Sequence, residues 1–324
     1  MSWKEPLITQ VQRFCMDDGP GIRTTIFFKG CPLHCPWCHN PECVSISKEL
    51  YYYEQKCQRC GACAEACPQN AITRVGPNGE YPERDRSKCD MCLKCVEACS
   101  YGALSTVGDV WSLNEVVKEA LADLPFYETS GGGVTISGGE PLFFPQYTLE
   151  LARMLKEGGI HVAIETTGFG RWEDLEKIAQ YVDLFLFDIK HMNPLKHHKV
   201  VGVNNDLIQG NFRKLIEMGK AVRVRVPLIP GFNDDLHNFD MMAEFIKGAQ
   251  AVDIIPFHSS ATGKYNQLDK IYEYEHIPSM EKEEAEPFAD RLRQKGFIEV
   301  TIGGMIGVMN ELVTDGTVCE KSKN

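Results

Sequence analysis

One stretch near the N-terminus joins a short apolar run to three closely spaced cysteines: Thr24-Thr-Ile-Phe-Phe-Lys29-Gly-Cys31-Pro-Leu-His-Cys35-Pro-Trp-Cys38. The run 24–29 predicts a buried parallel strand, and the cysteines follow it with C-x3-C-x2-C spacing. Three thiolates can hold a 4Fe–4S cluster and leave one iron without a protein ligand, and an open coordination position is typical of a catalytic metal. The alternative is a closed set of four ligands, in which nearby Cys43 is the fourth.

Five further runs have the composition of buried strands, and helical stretches lie between them. Strands are predicted at 134–137, 161–165, 184–188, 222–228 and 252–257, and helices at 113–123, 147–157 and 240–247. This alternating order favours an α/β fold with a parallel sheet or barrel. Because six strand–helix units are fewer than the eight of a closed TIM barrel, we expect an incomplete (β/α)6 TIM-like barrel.

Each predicted strand ends in polar or glycine-rich residues, at the edge where barrel enzymes place their active sites. After the cysteine triad, these ends carry Gly138-Gly139-Glu140-Pro141, Glu165-Thr166-Thr167-Gly168, Asp188-Ile-Lys190, Arg223 and Arg225, and Pro256-Phe257-His258. The glycines at 131–133 and 138–139 match neither dinucleotide-binding nor P-loop spacing. A nucleotide phosphate loop is therefore not expected.

Eight more cysteines form two copies of C-x2-C-x2-C-x3-C, offset by 32 positions. This is the spacing of bacterial two-cluster ferredoxins, in which the fourth cysteine of each run binds the other cluster. We therefore expect two 4Fe–4S clusters, with these ligands: Cys57, Cys60, Cys63 and Cys99 for one, Cys89, Cys92, Cys95 and Cys67 for the other. Zinc is the alternative, although zinc sites favour separated C-x2-C pairs.

The composition excludes several other classes of protein. Of 14 cysteines in 324 residues, 12 lie between Cys31 and Cys99, and no export signal follows Met1, which argues against a disulfide-stapled secreted protein. The net charge of −11 argues against nucleic-acid binding. No apolar run reaches the ~18 residues of a membrane span, so a cytoplasmic location is expected. Cys15, Cys43 and Cys319 are interpreted as small buried side chains or unused thiols.

The Cys31, Cys35 and Cys38 triad resembles the signature of the radical S-adenosylmethionine (SAM) superfamily, which implies SAM as a cofactor. Gly138 and Gly139 would allow close backbone approach, and Asp188 and Lys190 would face the barrel mouth together. The full set of expected SAM contacts is Trp37, Cys38, His39, Asn40, Gly138, Gly139, Glu140, Pro141, Thr166, Asp188, Lys190, Arg225 and His258.

Arg225 is expected to join the three cysteines as a catalytic residue, because a guanidinium suits a carboxylate or a charge near the sulfonium. Arg223 lies two residues away on the same face, so the two arginines could exchange roles. The resemblance also implies a monovalent-cation site at Glu165, Thr166 and Asp188, with Glu165 in place of the more usual Asp.

A narrower resemblance rests on Asp18-Gly-Pro-Gly-Ile-Arg23-Thr-Thr25, Cys38-His-Asn-Pro-Glu42 and Phe187-Asp-Ile-Lys190. Together these segments resemble those of the glycyl-radical-enzyme activating enzymes. The resemblance covers essentially the whole chain. Pyruvate formate-lyase activating enzyme lacks the ferredoxin-like insert. The presence of the insert resembles the branch of the family that activates glycerol or choline dehydratase-type lyases, arylacetate decarboxylases and benzylsuccinate-type synthases. Residues 6–19 favour the activating enzymes of the last group.

The resemblance implies an anaerobic oxidoreductase that cleaves SAM reductively, so that a 5′-deoxyadenosyl radical removes a hydrogen from a glycine of a partner enzyme. Flavodoxin or ferredoxin is the expected reductant. The insert clusters are expected to relay electrons, and a role in docking or stability is the alternative. Residues 18–23 are placed to meet the glycine loop, through Arg23 or an acidic surface. Two alternatives remain: a radical SAM enzyme acting on a small molecule, and an iron–sulfur electron-transfer protein.

The domain organisation follows from these assignments. We expect a discontinuous partial barrel over 1–49 and 109–310, a ferredoxin-like insert over 50–108, and a C-terminal tail over 311–324. Two surface features are also expected: His197-His198-Lys199 as a solvated surface, and the acidic run 281–286 as an exposed helical face.

Overall fold

A computed structural model describes residues 5–75 and 81–303 of the chain. Its strands are β1 (Leu7–Cys15), β2 (Arg23–Lys29), β3 (Glu49–Tyr52), β4 (Ile72–Val75), β5 (Tyr81–Arg84), β6 (Leu104–Val107), β7 (Gly133–Gly138), β8 (Val162–Thr166), β9 (Leu184–Asp188), β10 (Val222–Leu228), β11 (Ala251–Pro256) and β12 (Val300–Ile302). Its helices are α1 (Ala62–Glu65), α2 (Lys94–Glu97), α3 (Leu113–Leu121), α4 (Leu124–Ser130), α5 (Pro145–Glu157), α6 (Trp172–Ile178), α7 (Pro194–Val201), α8 (Asp206–Glu217), α9 (Leu236–Phe245), α10 (Thr262–Gln267) and α11 (Lys282–Gln294).

The main sheet has eight strands in the order β1-β2-β7-β8-β9-β10-β11-β12. All neighbours from β2 onward are parallel, and β1 pairs antiparallel with β2. All six predicted strands are present. The expected count was nevertheless too low, because β12 adds a seventh parallel strand and β1 adds an antiparallel one.

The core lies between this sheet and the helices that connect its strands. Ile136, Ile164, Phe185, Val224 and Ile254, one from each of five neighbouring strands, have no exposed surface. The helices cover them with apolar faces, as in α5 and α8, whose buried residues recur at helical spacing. Since side chains on both faces of a parallel strand are covered, the strands read as continuous apolar runs.

Parallel strands end at one edge of the sheet, and this edge receives the polar segments that the sequence singled out. The loop after β2 carries the cysteine triad, β9 ends at Asp188, and β10 places Arg225 beside Asp188 in the register. The fold therefore gathers residues from distant parts of the chain at the carboxyl ends of the strands.

Residues between β2 and α3 form two small antiparallel pairs, β3 with β6 and β4 with β5. The two pairs correspond under the 32-residue offset of the cysteine runs. Tyr52 lies opposite Leu104 in one pair, and the equivalent residues Arg84 and Ile72 lie opposite each other in the other. The short helices α1 and α2 both follow a left-handed residue, Gly61 in one and Leu93 in the other. The internal repeat of the sequence is thus also a repeat of structure.

Two surface predictions have different outcomes. His197 is wrong as a solvated residue, since it is buried and its Nδ1 lies 2.7 Å from the Val203 carbonyl. The acidic side chains of 281–286 are exposed along the start of α11, as expected. Cys319 and the tail 311–324 lie outside the described residues. No helix in the described ranges has the length and apolarity needed to span a membrane.

Candidate active site

A cavity of about 530 Å³ opens at the carboxyl ends of the main-sheet strands. It brings together most of the predicted site residues, which are separated by up to 194 positions of sequence between Cys31 and Arg225. The predicted residues that line it are Cys31, Cys35, Trp37, Cys38, His39, Asn40, Gly138, Gly139, Glu165, Thr166, Asp188, Lys190 and Arg225. Three others, Glu140, Pro141 and His258, do not line it.

Backbone hydrogen bonds hold the loop that carries the cysteine triad. The Cys31 amide donates to the Val44 carbonyl at 3.0 Å, and the Cys38 amide donates to the Cys35 carbonyl at 3.1 Å. Burial raises the pKa of the Cys35 thiol to about 12, while the Lys190 cation acts in the opposite direction. The three thiols line one cavity, and soft sulfur donors are the ligands that iron–sulfur clusters use.

Cys43 lies apart from the triad. Its side chain is buried, its Sγ lies 3.2 Å from the Thr9 hydroxyl, and it does not line the cavity. The Cys43 carbonyl accepts a hydrogen bond from the Gly30 amide at 2.7 Å. The residue therefore supports the loop through its backbone, and its side chain lies outside the cavity that the three cysteines line.

Four charged side chains form two ion pairs along the cavity wall. Arg225 contacts the Glu165 carboxylate at 2.5 Å, and Lys190 contacts Asp188 at 2.6 Å. The other Glu165 oxygen accepts from the Ser137 hydroxyl at 2.5 Å. Burial raises the pKa of Glu165, and the Arg225 charge opposes that shift. Both signs of charge thus face a region where interactions are stronger than in water.

Glu140 supports the site without reaching the cavity. It is fully buried, and its carboxylate accepts hydrogen bonds from the Leu142 amide, the Thr166 hydroxyl, and both the amide and hydroxyl of Thr167. With both oxygens occupied, Glu140 links the turn after β7 to the end of β8. Pro141, also buried, begins the 3-10 turn Pro141–Phe143.

Gly138 and Gly139 line the cavity, and neither position could carry a side chain. Gly138 has a φ of +109°, and a Cβ there would lie 2.1 Å from the Phe28 amide nitrogen. A Cβ at Gly139 would lie 2.1 Å from the Gly30 carbonyl oxygen. These glycines let the turn after β7 pack directly on the segment that leads into the cysteine triad.

The aromatic side of the cavity is built from packed rings. Trp37 is almost fully buried, with its ring centroid 4.8 Å from that of Phe232. His39 stacks on His258 at 3.9 Å between centroids, and its Nε2 lies 3.0 Å from the His258 carbonyl oxygen. His258 therefore lies behind His39 and does not face the cavity.

The two arginines of β10 do not exchange roles. Arg223 binds Asp253 at 2.6 and 2.7 Å and also pairs with Glu299, away from the cavity. Two residues along a strand span about 6.6 Å, so Arg223 shares a face with Arg225 but lies one layer deeper. Arg23, considered as a partner contact, is fully buried and donates to the Thr135 hydroxyl and the Val134 carbonyl.

One wall of the cavity was missed by the sequence analysis. The end of β1 and the following loop contribute Gln12, Phe14, Cys15, Met16, Asp17 and Asp18. The sequence feature that could have predicted this wall is the loop at 16–21, which directly precedes the buried strand β2. Cys15, interpreted as a small buried side chain or an unused thiol, is buried and also lines the cavity, and burial raises the pKa of its thiol to about 11.

The insert shows a second convergence of cysteines. Cys57, Cys60, Cys63 and Cys99 line one small cavity together, which is the grouping that the ferredoxin spacing predicts. Cys89 and Cys95 pack with Ile72 in a neighbouring apolar cluster. Across 5–75 and 81–303, no three His, Cys, Asp or Glu side chains are arranged to hold a metal ion. The cluster assignments therefore rest on sequence spacing and on these shared locations.

Comparisons with known proteins agree with these features. The profile of the radical SAM superfamily matches residues 91–246, and that of the 4Fe-4S dicluster domain matches 56–103. In solved structures, a domain of pyruvate-formate lyase-activating enzyme from Bacteroides vulgatus covers 54% of this chain and 100% of its own, at 29% identity and a TM-score of 0.46. The two profile matches give the chain a radical SAM domain and a 4Fe-4S dicluster segment.

Curated relatives narrow the class. Benzylsuccinate synthase activating enzyme of Thauera aromatica is 44% identical over 95% of both chains. Trans-4-hydroxy-L-proline dehydratase activating enzyme of Clostridioides difficile is 43% identical over 92% of this chain and 99% of its own. Choline trimethylamine-lyase activating enzyme of Oleidesulfovibrio alaskensis is 38% identical over 91% and 97%. The chain belongs to the glycyl radical enzyme activating enzymes, a family that uses radical SAM chemistry.

Proposed function

We propose that this protein generates a glycyl radical on a partner enzyme by reductive cleavage of SAM at a 4Fe–4S cluster on Cys31, Cys35 and Cys38. The observation that carries the proposal is the convergence of these three thiols with Arg225 and Lys190 on one cavity, while Cys43 lies outside it. When bound, the cluster and SAM supply the 5′-deoxyadenosyl radical, which takes a hydrogen atom from a glycine of the partner.

The chain's own residues bind and orient the reactants. Lys190 and Asp188 offer a cation and a carboxylate 2.6 Å apart, which suits the carboxylate and amine of the methionine end of SAM. Arg225 is held by Glu165 so that its charge stays at the cavity wall near the expected sulfonium. Asn40 is fixed by Lys264, whose Nζ donates to its side-chain oxygen at 2.9 Å.

Packing around the cavity limits the access of water to the reacting atoms. Trp37, Leu33 and Phe257 are buried in one apolar cluster beside the triad. The side of the cavity that this apolar cluster does not cover lies between β1 and β12, the strands at the two ends of the sheet. We propose that the main sheet is an incomplete TIM-like barrel whose open side admits the partner's glycine loop near residues 14–18.

The segment 50–108 is proposed as a ferredoxin-like insert that holds two further 4Fe–4S clusters, giving three in the chain. The shared cavity of Cys57, Cys60, Cys63 and Cys99 supports the crossed ligand sets. Flavodoxin or ferredoxin would reduce these clusters, which would relay single electrons to the catalytic one. The partial barrel would then comprise 1–49 and 109–310.

A monovalent cation at Glu165, Thr166 and Asp188 stays a prediction. The two Glu165 oxygens already accept from Arg225 and Ser137, and one Asp188 oxygen is paired with Lys190. A cation would therefore share carboxylates that are partly neutralised. An exchange of potassium for a large organic cation in the SAM-cleavage assay tests the prediction, and unchanged turnover would contradict it.

The proposed partner is a benzylsuccinate synthase-type enzyme, which is the partner that its 44% identical relative names. A hydroxyproline dehydratase-type partner is the second candidate, because identity to that activating enzyme is 43%. Both candidate partner enzymes can be mixed in parallel with this protein after its clusters have been reconstituted. If a glycyl radical forms only on the hydroxyproline dehydratase-type enzyme, that enzyme is the partner and the first assignment is wrong.

Anaerobic reconstitution with iron and sulfide tests the function as a whole. The wild type should form 5′-deoxyadenosine from SAM and dithionite and should produce a doublet radical signal on an added partner. Replacing Cys31, Cys35 and Cys38 by Ala should abolish cleavage and leave about two thirds of the iron. Cleavage that survives the triple change would refute the catalytic assignment. Repeated SAM turnover on a metabolite would favour the small-molecule alternative, and absence of cleavage would favour an electron-transfer protein.

A further inference from the structure

The two halves of the insert place different residues at one equivalent position. Tyr52 ends β3 and Arg84 ends β5, and each stands five residues before the first cysteine of its run. Tyr52 lies opposite Leu104 and Arg84 lies opposite Ile72, so the positions are related by the same 32-residue offset as the cysteines. One half therefore presents a phenol where the other presents a guanidinium.

Tyr52 lies against the first cysteine set. Its side chain lines the cavity that Cys57, Cys60, Cys63 and Cys99 share. The Tyr52 hydroxyl is buried and forms no hydrogen bond with any described residue. A buried hydroxyl without a partner is costly, and the cavity beside it is the place where sulfur acceptors are expected.

Arg84 has the corresponding place beside the second set. It is partly buried, and its cross-strand neighbour Ile72 packs in one cluster with Cys89 and Cys95 of the second set and Cys63 of the first. Burial lowers the pKa of the guanidinium, whereas the Cys89 and Cys95 thiols favour its charged form. The nearby Arg86 is engaged with Asp269 at 3.4 Å.

We propose that Tyr52 and Arg84 are positioning residues that raise the reduction potentials of the two insert clusters, each acting on its own cluster. The Tyr52 hydroxyl would donate a hydrogen bond to the sulfur of Cys57, and the Arg84 cation would face the sulfurs of Cys89 and Cys95. This inference rests on the proposed function, since it requires that both clusters are present.

The physical reason is the charge of the reduced state. Reduction adds one electron to a cluster and makes it more negative, so a hydrogen-bond donor or a cation beside its sulfurs stabilises the reduced form. The partial burial of both residues limits screening by water and salt. Because one group is a dipole and the other a full charge, the two clusters can be tuned independently although their ligands are related by repeat.

Potentiometric titration followed by electron paramagnetic resonance tests the inference. The full-length chain with Cys31, Cys35 and Cys38 replaced by Ala provides a background with two midpoints. Tyr52→Phe, which removes only the hydroxyl, should lower one midpoint. Arg84→Gln should lower the other. A tenfold change in a one-electron equilibrium corresponds to 59 mV, and a several-fold change is expected for Tyr52→Phe and up to about tenfold for Arg84→Gln.

Matched variants separate tuning from a general structural effect. Tyr51→Phe, on the same strand but outside the cavity, and Arg171→Gln, an exposed cation before α6, should leave both midpoints unchanged. Arg84→Lys keeps the charge and should keep the midpoint. Iron content of each variant must equal that of the background protein. Intact clusters with unmoved midpoints, or one midpoint that responds to both variants, would overturn this inference alone. A background protein without the two clusters would overturn the proposed function as well.

Discussion

Cys38 and Cys43 are five residues apart, yet only Cys38 faces the cavity. Cys38→Ala should abolish 5′-deoxyadenosine formation and remove about one third of the iron, because it deletes a cluster ligand. Cys43→Ala should retain the iron and the cleavage activity, because its thiol contacts Thr9 instead. Iron analysis and a cleavage assay on both variants check the prediction. Equal losses in the two variants would place Cys43 among the ligands.

His191 is a buried histidine with an exposed fraction of 3% and a ring nitrogen, Nε2, that has no hydrogen-bond partner within the described residues. Its Nδ1 accepts from the Asn193 amide at 2.9 Å. Burial lowers the pKa of His191 to about 4; Lys196 and His197 act in the same direction and Asp235 against it. The neutral ring is therefore the form that the fold stabilises.

The sign of the pH effect follows from this depressed pKa. The contribution of His191 is complete above the unfolded pKa of about 6.5 and is lost as the pH falls toward about 4. Lowering the pH from 7.5 to 5.5 should cost about 1.4 kcal/mol of unfolding free energy through this residue. His191→Asn keeps an acceptor for Asn193 and should reduce the pH dependence by that amount. His198→Asn, an exposed control, should not.

At the scale of elements, α3 illustrates how local sequence sets a helix start. The Ser112 hydroxyl accepts from the Glu115 amide, and the Glu115 carboxylate accepts from the Ser112 amide at 2.8 Å. This capping box satisfies donors that the first turn leaves free. The helix was expected at 113–123 and is observed at Leu113–Leu121.

Ser112→Ala should lower the unfolding free energy by about 1 kcal/mol, since it removes the cap. Ser112→Asp should retain most of the stability, because a carboxylate accepts the same hydrogen bond. Urea unfolding of the reconstituted protein measures both. A loss that is as large for Asp as for Ala would show that the cap is not the source of the effect.

The two strands of the main sheet that were not predicted, β1 and β12, lie at its two ends. Strands β7 and β9 are buried along almost their whole length, and β9 is apolar up to its last residue, Asp188. Strand β1 is an edge strand with mostly exposed or half-exposed residues, and β12 has three residues. An edge strand needs no continuous apolar run, because one side of its backbone and much of its surface face water.

At the scale of the whole molecule, Glu49 joins three distant segments. Its carboxylate contacts the fully buried Lys29 of β2 at 2.7 Å and Lys270 at 2.9 Å. Lys29 also donates to the Glu42 carbonyl at 2.6 Å. The start of the insert is thereby bound to the strand that leads into the cysteine triad and to the segment after α10.

Glu49→Ala should lower the unfolding free energy by about 3–5 kcal/mol, because it leaves the Lys29 charge buried without its carboxylate. The double variant Lys29→Met with Glu49→Leu should recover much of this loss, since no uncompensated charge remains. Urea unfolding of Lys29→Met, Glu49→Leu and the double variant gives the coupling energy between the two residues. If Glu49→Ala is as stable as the wild type, the contact does not hold the segments together.

The sequence by itself determined the kind of chemistry and six of the parallel strands that carry the site. Cysteine spacing is read directly along the chain, since each ligand loop is local, and buried strands are recognised from their uniform composition. Only the tertiary structure decided which residues face the cavity. It separated Arg225 from Arg223, Cys38 from Cys43, and His39 from His258, because strand register, loop packing and the pairing of buried charges depend on residues that are far apart in sequence.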